Sequence, residues 1–167
     1  AKRGSAWGTL GKMVRARGFS LVELLVVIGI GLLLAVLGTR MLGAGRQAAW
    51  EKEAEAFGKA VLAALEQAAA EGVYDSKRRL LEALPQGITQ DHTGASLNAS
   101  GARRLCERVG RLSGTRTRFP QAPSYVGCVV ELETRTVSAG GMEASVSRFV
   151  VYTWVKGRGR REYVAGR

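Results

Sequence analysis

Glu23 is the one charged side chain in residues 19–39, FSLVELLVVIGIGLLLAVLGT. An ionisable group inside so apolar a run is costly, and such groups mark places where a partner of opposite charge is met. Arg17, the nearest basic residue, lies six positions upstream and on a different helical face, so the chain offers Glu23 no i, i+4 partner. The cation must come from elsewhere, unless Glu23 simply sits at headgroup level, solvated or protonated.

The other chemistry-bearing residues are fewer than the length allows. Cys106 and Cys128 enclose 21 residues and have no His or Cys at metal-ligand spacing, so they cannot fill a tetrahedral metal site from one chain. In an extracytoplasmic setting they are expected to form one disulfide; two reduced cysteines acting as small buried hydrophobes are the alternative. His92 is the only histidine and stands beside Asp91 in a polar, turn-rich stretch, where solvation is the ordinary outcome. No nucleophile–base pair, metal cluster or phosphate-binding glycine loop stands out, so the sequence predicts neither an enzyme nor a cofactor or metal protein. Arg103, Arg104, Arg108, Arg111, Arg116 and Arg118 form a cluster of cations. Contact of Arg103, Arg104, Arg116 and Arg118 with an anion or DNA is one expectation, and solvated surface charge is the other.

Those residues need elements to place them. As a helix, the 21 residues of the apolar run cover about 31 Å, close to the hydrocarbon thickness of a bilayer. Residues 1–18 hold five basic residues (Lys2, Arg3, Lys12, Arg15, Arg17) and no acid, a flank that favours the cytoplasmic side and sends the remainder across. A secretory signal peptide has the same general form, and Gly43, Ala44 and Gly45 supply small residues after the run. Against it, the run exceeds the usual apolar region of such peptides and carries a carboxylate near its start.

The run Gly18-Phe19-Ser20-Leu21-Val22-Glu23, followed by LLVVIGIGLLLAVLG, closely resembles the class III signal and N-terminal helix of type IV pilins and of the pseudopilins of type II secretion systems. The resemblance covers residues 17–45 by motif. It implies that a membrane-embedded prepilin peptidase cuts between Gly18 and Phe19, that Phe19 is then N-methylated, and that Glu23 assists assembly. Cleavage would create the cation that Glu23 lacks, the Phe19 α-amino group, for pairing with Glu23 of a neighbouring subunit in a low-dielectric filament core. Implied partners are other copies or related pilins, the prepilin peptidase, inner-membrane assembly machinery and the membrane itself.

After Gly45 the residues RQAAWEKEAEAFGKAVLAALEQAAAEGVY are good helix formers. Trp50, Phe57, Val61, Ala64, Leu65 and Ala68 recur at helical spacing, which predicts a continuation to about Gly72 that is amphipathic. Residues 76–84 and the segment ARRLCERVGRL suggest two further short helices, and 113–124, with Pro120 and Pro123, a loop. Three alternating stretches, 126–137, 146–156 and 161–165, predict an antiparallel meander turned at Gly140-Gly141 and at Gly157-Arg158-Gly159. The expected fold is α+β and pilin-like: a long N-terminal helix, half transmembrane and half amphipathic, packed on a small antiparallel sheet of about three strands. Its parts would be a removable leader (1–18), an assembly helix (19–45) and a globular head (46–167).

The net charge of +11 falls to +6 if the five leader cations are removed, which weakens an argument for nucleic acid from charge alone. Function is expected to be structural: a filament subunit, first spanning the bacterial inner membrane with its N-terminus cytoplasmic and then assembled in the periplasm or outside. A minor pilin binding DNA or a surface, a type II secretion pseudopilin, and a monomeric membrane-anchored protein are the alternatives.

Overall fold

A computed structural model describes residues 18–99, 101–158 and 161–167. The elements in chain order are α1 (Leu21–Ala70), α2 (Lys77–Glu82), β1 (Gly87–Gln90), β2 (Ser96–Ala99), β3 (Arg103–Leu105), β4 (Val126–Ala139), β5 (Met142–Val155) and β6 (Tyr163–Ala165). The layout is α+β with antiparallel sheets, as expected from the sequence. Contacts divide the chain into two compact units that meet at Gly43 and Ala44, and each is described by itself.

In the first unit the chain is helical from Leu21 onward. Its large apolar side chains are all at least half exposed, from Met41 at 79% to Ile28 at 50%. A helix apolar on every side has no polar face to turn to water and belongs in lipid or in a bundle.

The second unit is built on the later turns of α1. Ala54, Phe57, Gly58, Val61, Ala64, Leu65 and Ala68 are buried at helical spacing, each larger apolar side chain contributing roughly 1.5–3 kcal/mol. Gly58 is needed because a Cβ there would stand 3.0 Å from the Thr153 hydroxyl. Trp50 lies at the rim of this face, between the Tyr125 ring at 5.1 Å and the Arg158 guanidinium at 4.7 Å. The sheet that α1 supports has the order β3-β4-β5-β6, all antiparallel. The expected meander is there as β4, β5 and β6, with β4 and β5 paired in register from Val126↔Val155 to Ala139↔Met142. α2 begins where Ser76 Oγ accepts the Arg79 N–H (3.3 Å), and it drives Leu80 and Leu81 into the same core.

Two features depart from expectation. Residues 103–105 were expected in a short helix and instead form β3, paired with Val129, Val130 and Glu131. Leu105 N–H donates to Pro85 O (3.1 Å) and Cys106 N–H to Cys128 O (3.1 Å), and the ladder with its adjoining disulfide overrides a weak local helix preference. The second departure is a separate hairpin of β1 and β2 in the polar, turn-rich stretch for which no strands were expected. Asp91 Oδ1 accepts the N–H groups of Thr93 and Ala95 (2.9 Å each), and Gly94 takes φ +91° to close the turn. This hairpin covers the sheet face opposite α1, enclosing Ala99, Leu105, Val129 and Trp154 in a second small core, while the Trp154 ring N–H donates to Gln90 O.

Glu71, just past α1, ties the loop over residues 115–117 to the helix. Its carboxylate accepts from the Thr117 hydroxyl and from Arg116 N–H (2.7 Å), and these bonds, the Thr117 hydroxyl first, hold its pKa below the ordinary glutamate value. A carboxyl with a lowered folded pKa stabilises above its unfolded value, about 4.3, and that stability is lost as pH falls through the lower folded value. Thermal melts of the full chain in micelles should therefore show a falling midpoint below about pH 4.3, and Glu71→Gln should flatten that slope; an unchanged slope would remove Glu71 as its cause.

Candidate functional site

Residues 18–20 are non-helical, and α1 opens with a reciprocal pair of hydrogen bonds. Glu23 N–H donates to Ser20 Oγ (3.2 Å), Ser20 N–H donates to Glu23 Oε2 (3.4 Å), and Leu24 N–H reaches Ser20 O (3.0 Å). This capping box satisfies two of the amide donors that every helix start leaves free, and it places a carboxylate at the positive end of the helix dipole. Sequence reasoning had weighed Glu23 and passed over Ser20, although a Ser-x-x-Glu ahead of an apolar run is the signature of such a cap.

Gly18 lies directly before this site. A Cβ built on it would meet nothing within 4 Å, so no described neighbour requires glycine there. Phe19, next in sequence, is 77% exposed. The leader cations lie outside the described residues, which begin at Gly18. Farther along, Thr39 turns its hydroxyl back on Val36 O (2.9 Å), a bond that lets a polar side chain sit in an apolar helix.

In the second unit, Cys106 and Cys128 are joined, with Cα atoms 5.1 Å apart. Closing a loop of this size is worth about 3 kcal/mol by chain entropy. Beside the bridge, Glu107 turns inward with its side chain only 4% exposed. One of its oxygens pairs with Lys156 Nζ (3.2 Å), and the other accepts from the Thr89 hydroxyl (3.0 Å) and Cys128 N–H (3.3 Å). Nothing in the spacing of the charges announces this network, since Lys156 and Thr89 are distant in sequence.

The arginines are dispersed by function. Arg103 pairs with Glu131 (3.5 Å) and lies over the Tyr152 ring at 5.8 Å. Arg104, half-buried on β3, lies with its guanidinium against the Gln86 side-chain amide. Arg116 is held through its backbone by Glu71. Arg118 is paired by a backbone bridge with Arg111, and both line an open groove with Arg108 over Phe119. Among the described residues, no group of three or more His, Cys, Asp or Glu is placed to hold a metal.

Residues 13–39 match the family described as the prokaryotic N-terminal methylation motif. No curated protein and no solved structure matched the chain.

Proposed function

We propose that this chain, which carries the N-terminal methylation signature of type IV pilins and pseudopilins across residues 13–39, is the precursor of a filament subunit. The observation that supports this most is the overlap of that signature with the start of a helix whose first, apolar part is exposed on every side. Membrane anchoring before assembly follows from the same helix, which is long and apolar enough to cross a bilayer.

Hydrolysis of the Gly18–Phe19 amide by a prepilin peptidase adds water across the bond, leaving a carboxylate on Gly18 and an α-amine on Phe19. Gly18 needs no room for its own fold, so an outside surface gripping the backbone accounts for glycine there. Exposure of Phe19 lets a methyltransferase reach the new amine. That amine has a solution pKa near 7.7–8.0, and it stays protonated when drawn to a carboxylate. In a filament, the Phe19 ammonium of one subunit and Glu23 of the next neutralise one another where neither meets water, and their pairing fixes the axial register. The second unit is displayed as the head. Whether the filament is a pilus or a secretion pseudopilus, the N-terminal chemistry is the same.

Mass spectrometry of the chain from membranes and from sheared surface material is the direct test. The expected product begins at Phe19 and carries one added methyl group. Recovery only of chains retaining residues 1–18, in cells whose prepilin peptidase processes other substrates, would overturn the proposal.

A further inference from the structure

The loop closed by the disulfide carries Arg108, Arg111, Arg116 and Arg118 but only one acid, Glu107. That acid is turned inward onto Lys156, Thr89 and the Cys128 amide, so its charge is spent inside. Arg108, Arg111 and Arg118 line one open groove of about 790 Å3 together with the buried Phe119 and with Glu107, whose carboxylate is already held by Lys156, Thr89 and the Cys128 amide. Among the described residues no carboxylate forms an ion pair with any of the three, whereas Arg78, Arg103, Arg135 and Arg148 each have one.

The placement also works against the fold. Arg111 and Arg118 face one another across an antiparallel bridge, buttressed by Phe119 N–H donating to Gly110 O (3.0 Å). Like charges directly opposite on paired segments repel and destabilise. An oxyanion between the two guanidiniums would convert that repulsion into a pair of charge-assisted hydrogen bonds.

We propose that this groove binds a phosphodiester strand, with Arg111 and Arg118 clamping one phosphate and Arg108 meeting the next. The occupant is a strand rather than a bilayer surface because the arginines ring a concavity, while a lipid surface is met by cations and apolar wedges on a protruding face. A strand contacted only through phosphates is bound without sequence preference and with strong salt dependence. The inference stands apart from filament assembly, because it concerns the individual subunit.

The test uses the mature full chain in neutral micelles and a fluorescent single-stranded oligonucleotide of mixed sequence. Two neutralised phosphates predict a slope of about −1.4 for log K against log salt, at about −0.7 per phosphate on a single strand. Arg111→Ala/Arg118→Ala should weaken binding at least tenfold at low salt and reduce that slope by about half. Arg135→Ala, whose guanidinium is paired with Glu133 on β4, should leave both unchanged. Without ligand, the double variant should melt at the same or higher temperature than the parent, because the facing cations are gone. A lower melting temperature would assign the pair a structural role. Oligonucleotide affinity indifferent to the double substitution would overturn the proposal, as would a loss seen only for micelles doped with phosphatidylglycerol, which would make the ligand a lipid surface.

Discussion

Glu23→Ala is expected to yield chains that are cut at Gly18 and methylated but absent from sheared filaments, accumulating in the membrane instead. In the proposed filament the alanine leaves a Phe19 ammonium with no counter-charge in a dry interface. Removing one member of a buried ion pair costs about 3–5 kcal/mol, which corresponds to roughly a 150- to 5,000-fold loss in each subunit–subunit association. Because an elongating filament repeats that step at every addition, assembly should fail outright. The capping box supplies the control. Ser20→Ala removes the Glu23 N–H···Oγ bond (3.2 Å) but keeps the carboxylate, and loss of such a cap costs about 1 kcal/mol. Glu23→Gln keeps an acceptor for Ser20 N–H and removes the charge. The expected order of filament yield is parent, then Ser20→Ala with a modest deficit, then Glu23→Gln and Glu23→Ala together near zero. If Ser20→Ala is as defective as Glu23→Ala, Glu23 acts as a helix cap, and pairing across subunits is not its contribution.

What the sequence disclosed follows the range of the interactions concerned. The apolar run with Glu23, and the alternating stretches that became β4 and β5, are local patterns whose period already states which face is buried. The hairpin of β1 and β2 was invisible because its own side chains are mostly polar, and its reason to fold lies across the sheet in Trp154 and Val129. A trace of it does exist in the unbroken run Val126-Gly127-Cys128-Val129-Val130, buried at every position, where a strand with one wet face would alternate. Gly127 belongs to the same arrangement, since any Cβ there would collide with the Trp154 indole. The basic groove shows the same limit. The six arginines between 103 and 118 are a single cluster in sequence. The structure divides them: Arg103 is ion-paired, Arg104 is half-buried on β3, Arg116 is tied through its backbone, and Arg108, Arg111 and Arg118 line one cavity. Glu107 could not have been told from an ordinary surface acid until Thr89, Cys128 and Lys156 were seen converging on it.

That convergence makes Glu107 a polar position in the second unit whose replacement should cost heavily. Glu107→Ala would strand the Lys156 ammonium, the buried Thr89 hydroxyl and the Cys128 amide at once. Lys156 keeps some contact with water, its side chain being 23% exposed, so the loss should lie near the lower end of the range for a broken buried pair, about 3 kcal/mol. For a unit of this size that lowers the melting temperature by roughly 9–15 °C. Trp154 packs in the neighbouring core, so its near-ultraviolet signal can report the transition in the full chain without interference from the apolar helix. Two further variants divide the cost. Glu107→Gln keeps acceptor and shape and should lose less than the alanine variant. Glu107→Ala combined with Lys156→Met removes both charges and should recover part of the loss, because the stranded ammonium is no longer there. A Glu107→Ala shift of less than about 3 °C would mean that the disulfide and the β3–β4 ladder alone hold this corner. Glu107 would then not be what clears the arginine groove of negative charge, and only the Arg111 and Arg118 substitutions would bear on ligand binding.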